Sequence, residues 1–123
     1  MPAQPQILIQ SIKDVTIVDF VSRHLRELAE IERIGEALYD LVDNRNVTKL
    51  ILDLSNVQIL STQALGVFIK LREKVGQANS TMVFCGVNQN LHRLFKISQL
   101  AKLFAFYDDE ESALAFFGVT TAG

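Results

Sequence analysis

The sequence predicts an α/β fold built on a mostly parallel sheet, and three observations support this prediction. The predicted elements follow the order β-β-α-β-α-β-α-β-α, and strands that alternate with helices favour parallel pairing through right-handed crossovers. Residues 50–52 are apolar on both faces, which is typical of a central strand in a covered sheet. The chain has 123 residues, 49% of them hydrophobic and 21% charged, so we expect one domain over residues 1–123 with an ample core.

Five short runs rich in β-branched and apolar residues are the predicted strands. They cover residues 6–10, 15–21, 47–54, 81–87 and 103–107. The first two are separated only by a predicted turn over 11–14, so we expect a hairpin. Residues 22–27 are predicted to be a polar connector. Residues 1–5 and 119–123 are expected to be flexible.

Four segments have apolar residues at helical spacing. Their buried faces are predicted to hold Leu28, Ile31, Ile34, Leu38 and Leu41 in the first helix, Ala64, Leu65, Phe68, Leu71 and Val75 in the second, Leu91, Leu94 and Phe95 in the third, and Ala113, Leu114 and Phe117 in the fourth. Gly35 interrupts the first pattern, which indicates a close helix–sheet contact.

The helix boundaries are predicted from cap residues. Asn88 is the expected N-cap of the third helix, and Asp108 or Asp109 that of the fourth, with capping-box spacing between Asp108 and Glu111. Gly118 is a stop signal for the fourth helix.

Composition argues against several classes of function. A net charge of −2 and a pI near 5.6, without a basic run, argue against direct nucleic-acid binding. Cys85 is the only cysteine, so an internal disulfide and a cage of Cys ligands are excluded, and its apolar surroundings predict a buried side chain. No apolar run approaches the length of a membrane span, and no secretory leader is visible, so we expect a cytoplasmic protein without membrane insertion.

Catalytic motifs are not found in the sequence. There is no glycine-rich phosphate loop, and Ser61 does not lie in a Gly-x-Ser-x-Gly turn. His24 and His92 lack metal-ligand spacing, and His92 is predicted to be solvated. The acidic run 108–111 is explained by the first turn of a helix. We therefore predict a protein that is not an enzyme and has no metal or cofactor.

The polar turn Ser61-Thr62-Gln63 precedes the second helix and is the main candidate site. On local propensity, Ser61 caps the helix and Thr62 is its first residue. A helix N-terminus has free N–H groups and a positive dipole end, so it tolerates a phosphate or a partner's acceptor group.

The stretch LDLSNVQILSTQALGVFIKL, residues 52–71, resembles the central segment of STAS domains, the anti-sigma factor antagonist family. Asp53-Leu54-Ser55 and Leu65-Gly66-Val67 match that segment. Residues of the C-terminal half match a further family pattern: Leu94, Phe95, Leu100, Leu103, Phe104, Ala113 and Leu114. The resemblance implies a mixed sheet of four to five strands with about four helices, packed mainly on one face.

The resemblance also implies a non-enzymatic switch. An antagonist of this family binds an anti-sigma factor, commonly a serine/threonine kinase of the histidine-kinase-like type, and phosphorylation of a hydroxyl residue ends the complex. The acceptor position falls on Thr62, and Ser61 is the less favoured candidate. The implied partner-binding residues are Ser61, Thr62 and Gln63, with Arg26 or Glu27 near a second family position. Here Ser61 replaces the Asp of the motif, Gln63 its second hydroxyl, and Ala64 its first Gly.

Two other functions stay open at this point. The chain could be a STAS scaffold that is never phosphorylated, as in a stressosome-like assembly, which the changes at Ser61 and Gln63 favour. It could also be a STAS subunit of a lipid or anion transport system. Apolar residues on an edge strand could further support a homodimer.

Overall fold

The computed structural model describes residues 6–120, which contain seven strands and four α-helices. The strands are β1 (Ile7–Ile12), β2 (Val15–Phe20), β3 (His24–Leu25), β4 (Lys49–Asp53), β5 (Ile59–Leu60), β6 (Thr81–Cys85) and β7 (Phe106–Tyr107). The helices are α1 (Leu28–Asp43), α2 (Thr62–Gln77), α3 (Gln89–Ile97) and α4 (Glu110–Phe116), with a short 3-10 helix at Leu100–Lys102. None of these helices combines the length and apolar character that a membrane crossing requires.

Five strands form the main sheet in the order β1-β2-β4-β6-β7. β1 pairs with β2 in antiparallel fashion, and the pairs β2–β4, β4–β6 and β6–β7 are parallel. The predicted mixed and mostly parallel sheet is therefore confirmed. β4 is the central strand, and its residues from Leu50 to Asp53 are all buried, as the apolar pattern on both faces predicts.

The two faces of the sheet bury separate apolar clusters. Alternate residues such as Val18, Leu52 and Phe84 face the larger cluster, which is covered by α1, α2 and α3. Their neighbours Ile17 and Ile51 face the smaller cluster, which is covered by α4. Three helices on one face and one on the other confirm the expected packing. Because a strand presents its side chains alternately to its two faces, this division follows directly from the sequence of each strand.

A second, two-stranded parallel sheet is formed by β3 and β5, and the sequence pattern did not predict it. The predicted polar connector 22–27 contains β3, so that prediction was wrong. Each strand has two residues, of which only Leu25 and Leu60 are buried. A pattern of one buried residue is too short to be recognised as a strand.

Several boundaries also differ from the predictions. The hairpin turn is only Lys13-Asp14, with Lys13 at φ 55°. β4 begins at Lys49 and ends at Asp53, β6 ends at Cys85, and β7 is shorter than predicted. The contact at Gly35 is with Val67 of α2 rather than with the sheet, since a Cβ there would lie 3.3 Å from Val67 Cγ2.

The C-terminal segment is held more firmly than predicted. The N-cap of α4 is Asp109, whose Oδ1 accepts from the Ser112 N–H at 2.8 Å, so the proposed capping box of Asp108 and Glu111 is wrong. Gly118 has φ +80° and ends the helix as expected. Val119 is buried and its N–H donates to the Leu114 carbonyl at 2.9 Å, so it is not a flexible residue. Of the other residues predicted to be flexible, Thr120 is exposed and belongs to no helix or strand, and 1–5 and 121–123 lie outside the described part.

Candidate functional site

The predicted turn lies at the N-terminus of α2, between β5 and the helix. Ser61 has extended backbone angles, and its Oγ accepts from the Ala64 N–H at 3.2 Å. Thr62 is the first helical residue, and both Thr62 and Gln63 are exposed. The cap and the position of Thr62 therefore agree with the local propensity of the sequence. In the described structure no hydrogen bond uses the N–H of Thr62 or Gln63, as is usual in a first helical turn.

Main-chain hydrogen bonds of the small β3–β5 sheet hold this turn in place. The Ser61 N–H donates to the Leu25 carbonyl at 2.8 Å, one step beyond the last register pair, Leu25 with Leu60. The Arg23 carbonyl accepts from the N–H groups of Gln58 and Ile59 at the other end. The turn Ser61-Thr62-Gln63 is thus hydrogen-bonded to a strand from a distant part of the sequence.

The same register brings Arg26 and Glu27 to the start of α2. Continued by one residue, it places Arg26 beside Ser61, at a strand spacing of about 4.8 Å. Glu27 follows as the N-cap residue of α1, and its side chain makes no cap hydrogen bond. Both side chains are exposed. The residues predicted for partner binding therefore lie on one surface, although the sequence alone gave no reason for Arg26 and Ser61 to be neighbours.

We call this region the helix-start surface and define it as Arg26, Glu27, Ile59 and 61–63. Ile59 is 43% exposed, so its apolar side chain contributes to this surface. Gly66 lies one turn further along α2, and a Cβ there would meet no atom within 4 Å. The surface therefore combines an exposed hydroxyl, an apolar side chain, charges of both signs and an open helix face.

A second polar cluster was not foreseen from the sequence. Asp19 at the end of β2, Asp53 at the end of β4 and Glu110 at the start of α4 bring carboxylate oxygens within 4.8 Å of one another. Asp19 and Asp53 are register partners, and Cys85 is the next residue across the sheet. The Ser55 N–H and hydroxyl both donate to Asp53 Oδ1, the N–H at 2.8 Å. The sequence did contain a signal for this cluster. Asp19 and Asp53 lie near the ends of β2 and β4, on the face whose other residues, such as Ile17 and Ile51, are apolar.

This carboxylate cluster shares a proton. Hydrogen bonding to Asp53, together with burial and the Asp19 charge, raises the pKa of Glu110 to about 9. Burial also raises the pKa of Asp19. At Asp53 burial opposes ionisation, yet the hydrogen bonds from Glu110 and Ser55 outweigh it and lower its pKa. At neutral pH Glu110 is therefore the protonated member and donates to its ionised neighbour.

The geometry of this region gives little support for a metal site or for a reactive cysteine. The three carboxylates have a spacing that could hold a cation, but every buried side-chain N or O atom of residues 6–120 already has a hydrogen-bond partner. Cys85 is fully buried as predicted, and burial raises the pKa of its thiol, so it is an inert apolar residue. His92 is half-buried with its ring 4.8 Å from that of Phe106, so the prediction that it is solvated was wrong.

Comparison with known proteins agrees with the observed fold. A family model described as the STAS domain matches residues 6–113. A curated relative, the anti-sigma F factor antagonist of Paenibacillus polymyxa, is 32% identical over 75 residues, which span 61% of this chain and 64% of the relative. The chain thus matches slightly less than two thirds of that protein.

Solved structures show the same architecture at low sequence identity. An anti-sigma factor antagonist (STAS) domain protein from Planctomyces limnophilus superimposes with a TM-score of 0.82 at 17% identity, covering 92% of this chain and 98% of the other. The Bacillus cell fate determinant SpoIIAA in its phosphorylated form gives a TM-score of 0.68 at 12% identity, covering 90% and 98%.

Proposed function

This chain belongs to the STAS domain family, and from that membership we propose that it is an anti-sigma factor antagonist controlled by phosphorylation of Thr62. In this proposal the unmodified protein binds an anti-sigma factor that is a histidine-kinase-like serine/threonine kinase, in the cytoplasm. The kinase transfers a phosphoryl group to the Thr62 hydroxyl and the complex then dissociates. The protein itself acts as a binding module and not as an enzyme. The antagonist relative supports the function, and the phosphorylated structural neighbour supports the mode of control.

One observation supports Thr62 above all: its side chain is exposed at the first position of α2, while the neighbouring Ser61 hydroxyl is occupied as the helix cap. A kinase must bring the acceptor oxygen to the γ-phosphate of ATP, so the acceptor has to be exposed. Phosphorylation of Ser61 would remove the cap that its Oγ provides. The two hydroxyls therefore have different roles, and Thr62 is the acceptor in this proposal.

A phosphate on Thr62 is compatible with the fold. It adds about −1.5 to −2 charges at neutral pH. The unpaired N–H groups of the first turn and the positive end of the α2 dipole favour this charge at that place. We therefore expect the modified protein to keep its structure and its stability.

The same phosphate is not compatible with a partner surface that fits an uncharged threonine. The helix-start surface offers Ile59 and the open face at Gly66 for close packing, and such packing removes water from the hydroxyl. Burying an uncompensated charge in an interface costs several kcal/mol. The switch would thus act by desolvation and repulsion at the contact, without refolding of the chain.

The test measures binding of the anti-sigma kinase from the same organism by isothermal titration calorimetry. We expect Thr62→Glu to weaken binding by at least about 2 kcal/mol, or roughly 30-fold, because the carboxylate becomes buried without a partner. The matched control is Gln77→Glu, which adds the same charge at the opposite end of α2 and should bind like the wild type. Thermal unfolding of Thr62→Glu should be unchanged or slightly raised, since a negative charge favours a helix N-terminus. Equal affinity of Thr62→Glu and wild type would refute the switch.

A second candidate is a STAS scaffold module that is never phosphorylated. Ser61 and Gln63 in place of the usual motif residues favour it, since they change what a kinase meets beside the acceptor. Mass spectrometry of the protein from its native cells separates the two functions. A phosphopeptide that contains Thr62 supports the switch, and its absence under conditions where the kinase is active supports the scaffold.

A further inference from the structure

Within residues 6–120, β1 forms one edge of the main sheet, and its sequence is unusual for an edge strand. β1 is an edge strand of six residues, Ile-Leu-Ile-Gln-Ser-Ile, and carries no charged residue. Leu8 is 54% exposed and Ile9 is 45% exposed. Exposed edges in proteins that remain monomeric are usually protected by charges, proline, a bulge or very short length. β7, at the other edge, is protected by its length of two residues, whereas the described part of β1 has none of these features.

The hydrogen-bonding groups of this edge point away from β2. The Val21 N–H donates to the Gln6 carbonyl at 2.9 Å, so Gln6 and Val21 form a hydrogen-bonded pair of the hairpin. Hydrogen-bonded and non-bonded pairs alternate along an antiparallel ladder. The main-chain N–H and C=O groups of Ile7 and Ile9 therefore face the free edge and can accept a further strand.

The edge is complementary to itself. Residues 6–10 read Gln-Ile-Leu-Ile-Gln, which is the same in both directions. If two copies pair in antiparallel fashion about Leu8, each Ile7 lies opposite the partner's Ile9 and the two Leu8 side chains face each other. The outward groups of Ile7 and Ile9 then meet in the hydrogen-bonded pairs, giving about four main-chain hydrogen bonds, and Leu8 occupies the close non-bonded pair. An isologous contact of this kind closes as a dimer and does not continue into a filament.

From these observations we infer that β1 is a self-association surface, and that two copies of the chain join through their β1 strands into one ten-stranded sheet with a two-fold axis at Leu8. The inference does not depend on the proposed function. β1 is at the edge of the main sheet, and the helix-start surface is built on the separate β3–β5 sheet.

The first test is sedimentation equilibrium of the full chain over a range of concentrations. We expect a monomer–dimer equilibrium for the wild type. Leu8→Lys should raise the dimer dissociation constant at least about tenfold, because two ammonium groups would face each other at the axis. In the monomer that lysine lies beside Asp19, its register partner, so folding is not threatened. The control Ile97→Lys changes an apolar residue that is 74% exposed on α3 and should not alter the equilibrium.

The second test fixes the register. Cross-strand pairs of the non-bonded type bring Cα atoms to about 4.5 Å, which suits a disulfide. Leu8→Cys should therefore form an intermolecular disulfide on mild oxidation, while Gln10→Cys on the same strand and face should not, because the two copies of residue 10 are several positions apart. Cys85 is buried and does not compete. A wild type that stays monomeric at millimolar concentration, a dimer that Leu8→Lys leaves intact, or cross-linking at Gln10→Cys in place of Leu8→Cys would overturn the inference.

Discussion

At the scale of single residues, the two adjacent hydroxyls of the candidate site have separate tasks. The Ser61 Oγ accepts a hydrogen bond from the Ala64 N–H, and Thr62 is exposed to solvent. This separation could be predicted from the sequence, since a Ser before an amphipathic helix is a strong N-cap signal. The resemblance to the family implies that the next residue, Thr62, is the phosphorylation acceptor.

We predict that Ser61→Ala lowers the free energy of unfolding by about 1 kcal/mol, because the Ala64 N–H loses its acceptor. Ser61→Asp is the matched control. It keeps an acceptor at the same place and adds a charge that the helix N-terminus favours, so its stability should equal or exceed that of the wild type. Urea unfolding measures both. An unchanged stability for Ser61→Ala would contradict the capping role of this hydroxyl.

The carboxylate cluster predicts a dependence of stability on pH. The pKa of Glu110 is raised from its ordinary 4.5 to about 9 in the folded state, so the folded chain binds one proton more than the unfolded chain between these values. The contribution of this proton is present at low pH and is lost as pH rises through about 9. We therefore expect the stability of the wild type to fall as pH rises from about 4.5 to about 9 and to level off above that.

Glu110→Gln should remove this part of the pH dependence. Its amide donates to the Asp53 carboxylate at every pH, so this variant should unfold with a flatter profile and be more stable than the wild type at pH 10. The control Glu111→Gln changes the exposed neighbouring residue and should keep the wild-type slope. Thermal unfolding across the pH range measures all three proteins. A wild-type slope in Glu110→Gln would show that Glu110 does not hold the shared proton.

At the scale of elements, two glycines on the packed helices α1 and α2 have opposite environments. A Cβ at Gly66 would meet nothing within 4 Å, whereas one at Gly35 would lie 3.3 Å from Val67 Cγ2 on the neighbouring helix. Alanine in a helix interior is favoured over glycine by about 1 kcal/mol. A substitution by alanine at Gly66 can gain this stability in full. At Gly35 the new methyl group would press on Val67, whose β-branched side chain cannot easily move away.

We therefore predict that Gly66→Ala raises the free energy of unfolding by about 0.5–1 kcal/mol, while Gly35→Ala gains less or loses stability. Because Gly66 lies one turn after Thr62, Gly66→Ala should at the same time weaken binding of the anti-sigma kinase. Urea unfolding and calorimetric titration on the same preparations measure these two effects. Unchanged binding by Gly66→Ala would argue that the partner does not approach this face of α2.

The small β3–β5 sheet shows where element prediction reaches its limit. β4 and β6 were visible because each contains a run of buried residues. β3 and β5 were not, because Leu25 and Leu60 are single buried residues among exposed ones. Such short strands are stabilised by hydrogen bonds to each other and by packing on the core. Both are tertiary interactions, which a local sequence pattern does not predict.

At the scale of the whole molecule, the mostly parallel sheet followed from the alternation of elements and from apolar patterns, and the packing of helices mainly on one face from the family resemblance. Neither kind of evidence predicted which residues from distant parts of the sequence would lie close together. Asp19, Asp53 and Glu110 come from three elements, and Arg26 reaches the start of α2 only through the register of β3 with β5. A parallel sheet collects the carboxyl ends of its strands at one edge, so this edge is where such residues meet.

The arrangement also separates possible functions in space. The helix-start surface lies on the β3–β5 sheet and α2, the proton-sharing carboxylates lie under α4, and the self-complementary strand is at the sheet edge. Leu8 of the edge strand is the register partner of Asp19, so these two regions touch and their substitutions are not independent. The helix-start surface is built on the separate β3–β5 sheet, so we expect its substitutions to be additive with those in the other two regions.

The most direct test of the central claim compares the chain phosphorylated at Thr62 with the unmodified chain. The affinity of each for the anti-sigma kinase is measured by calorimetry, and phosphatase-treated protein serves as the control. We predict that phosphorylation weakens binding at least about 30-fold with no loss of thermal stability, and that phosphatase restores the affinity. Equal affinity of the phosphorylated and unmodified chains, or weaker binding that arises only because the phosphorylated chain unfolds, would contradict the account.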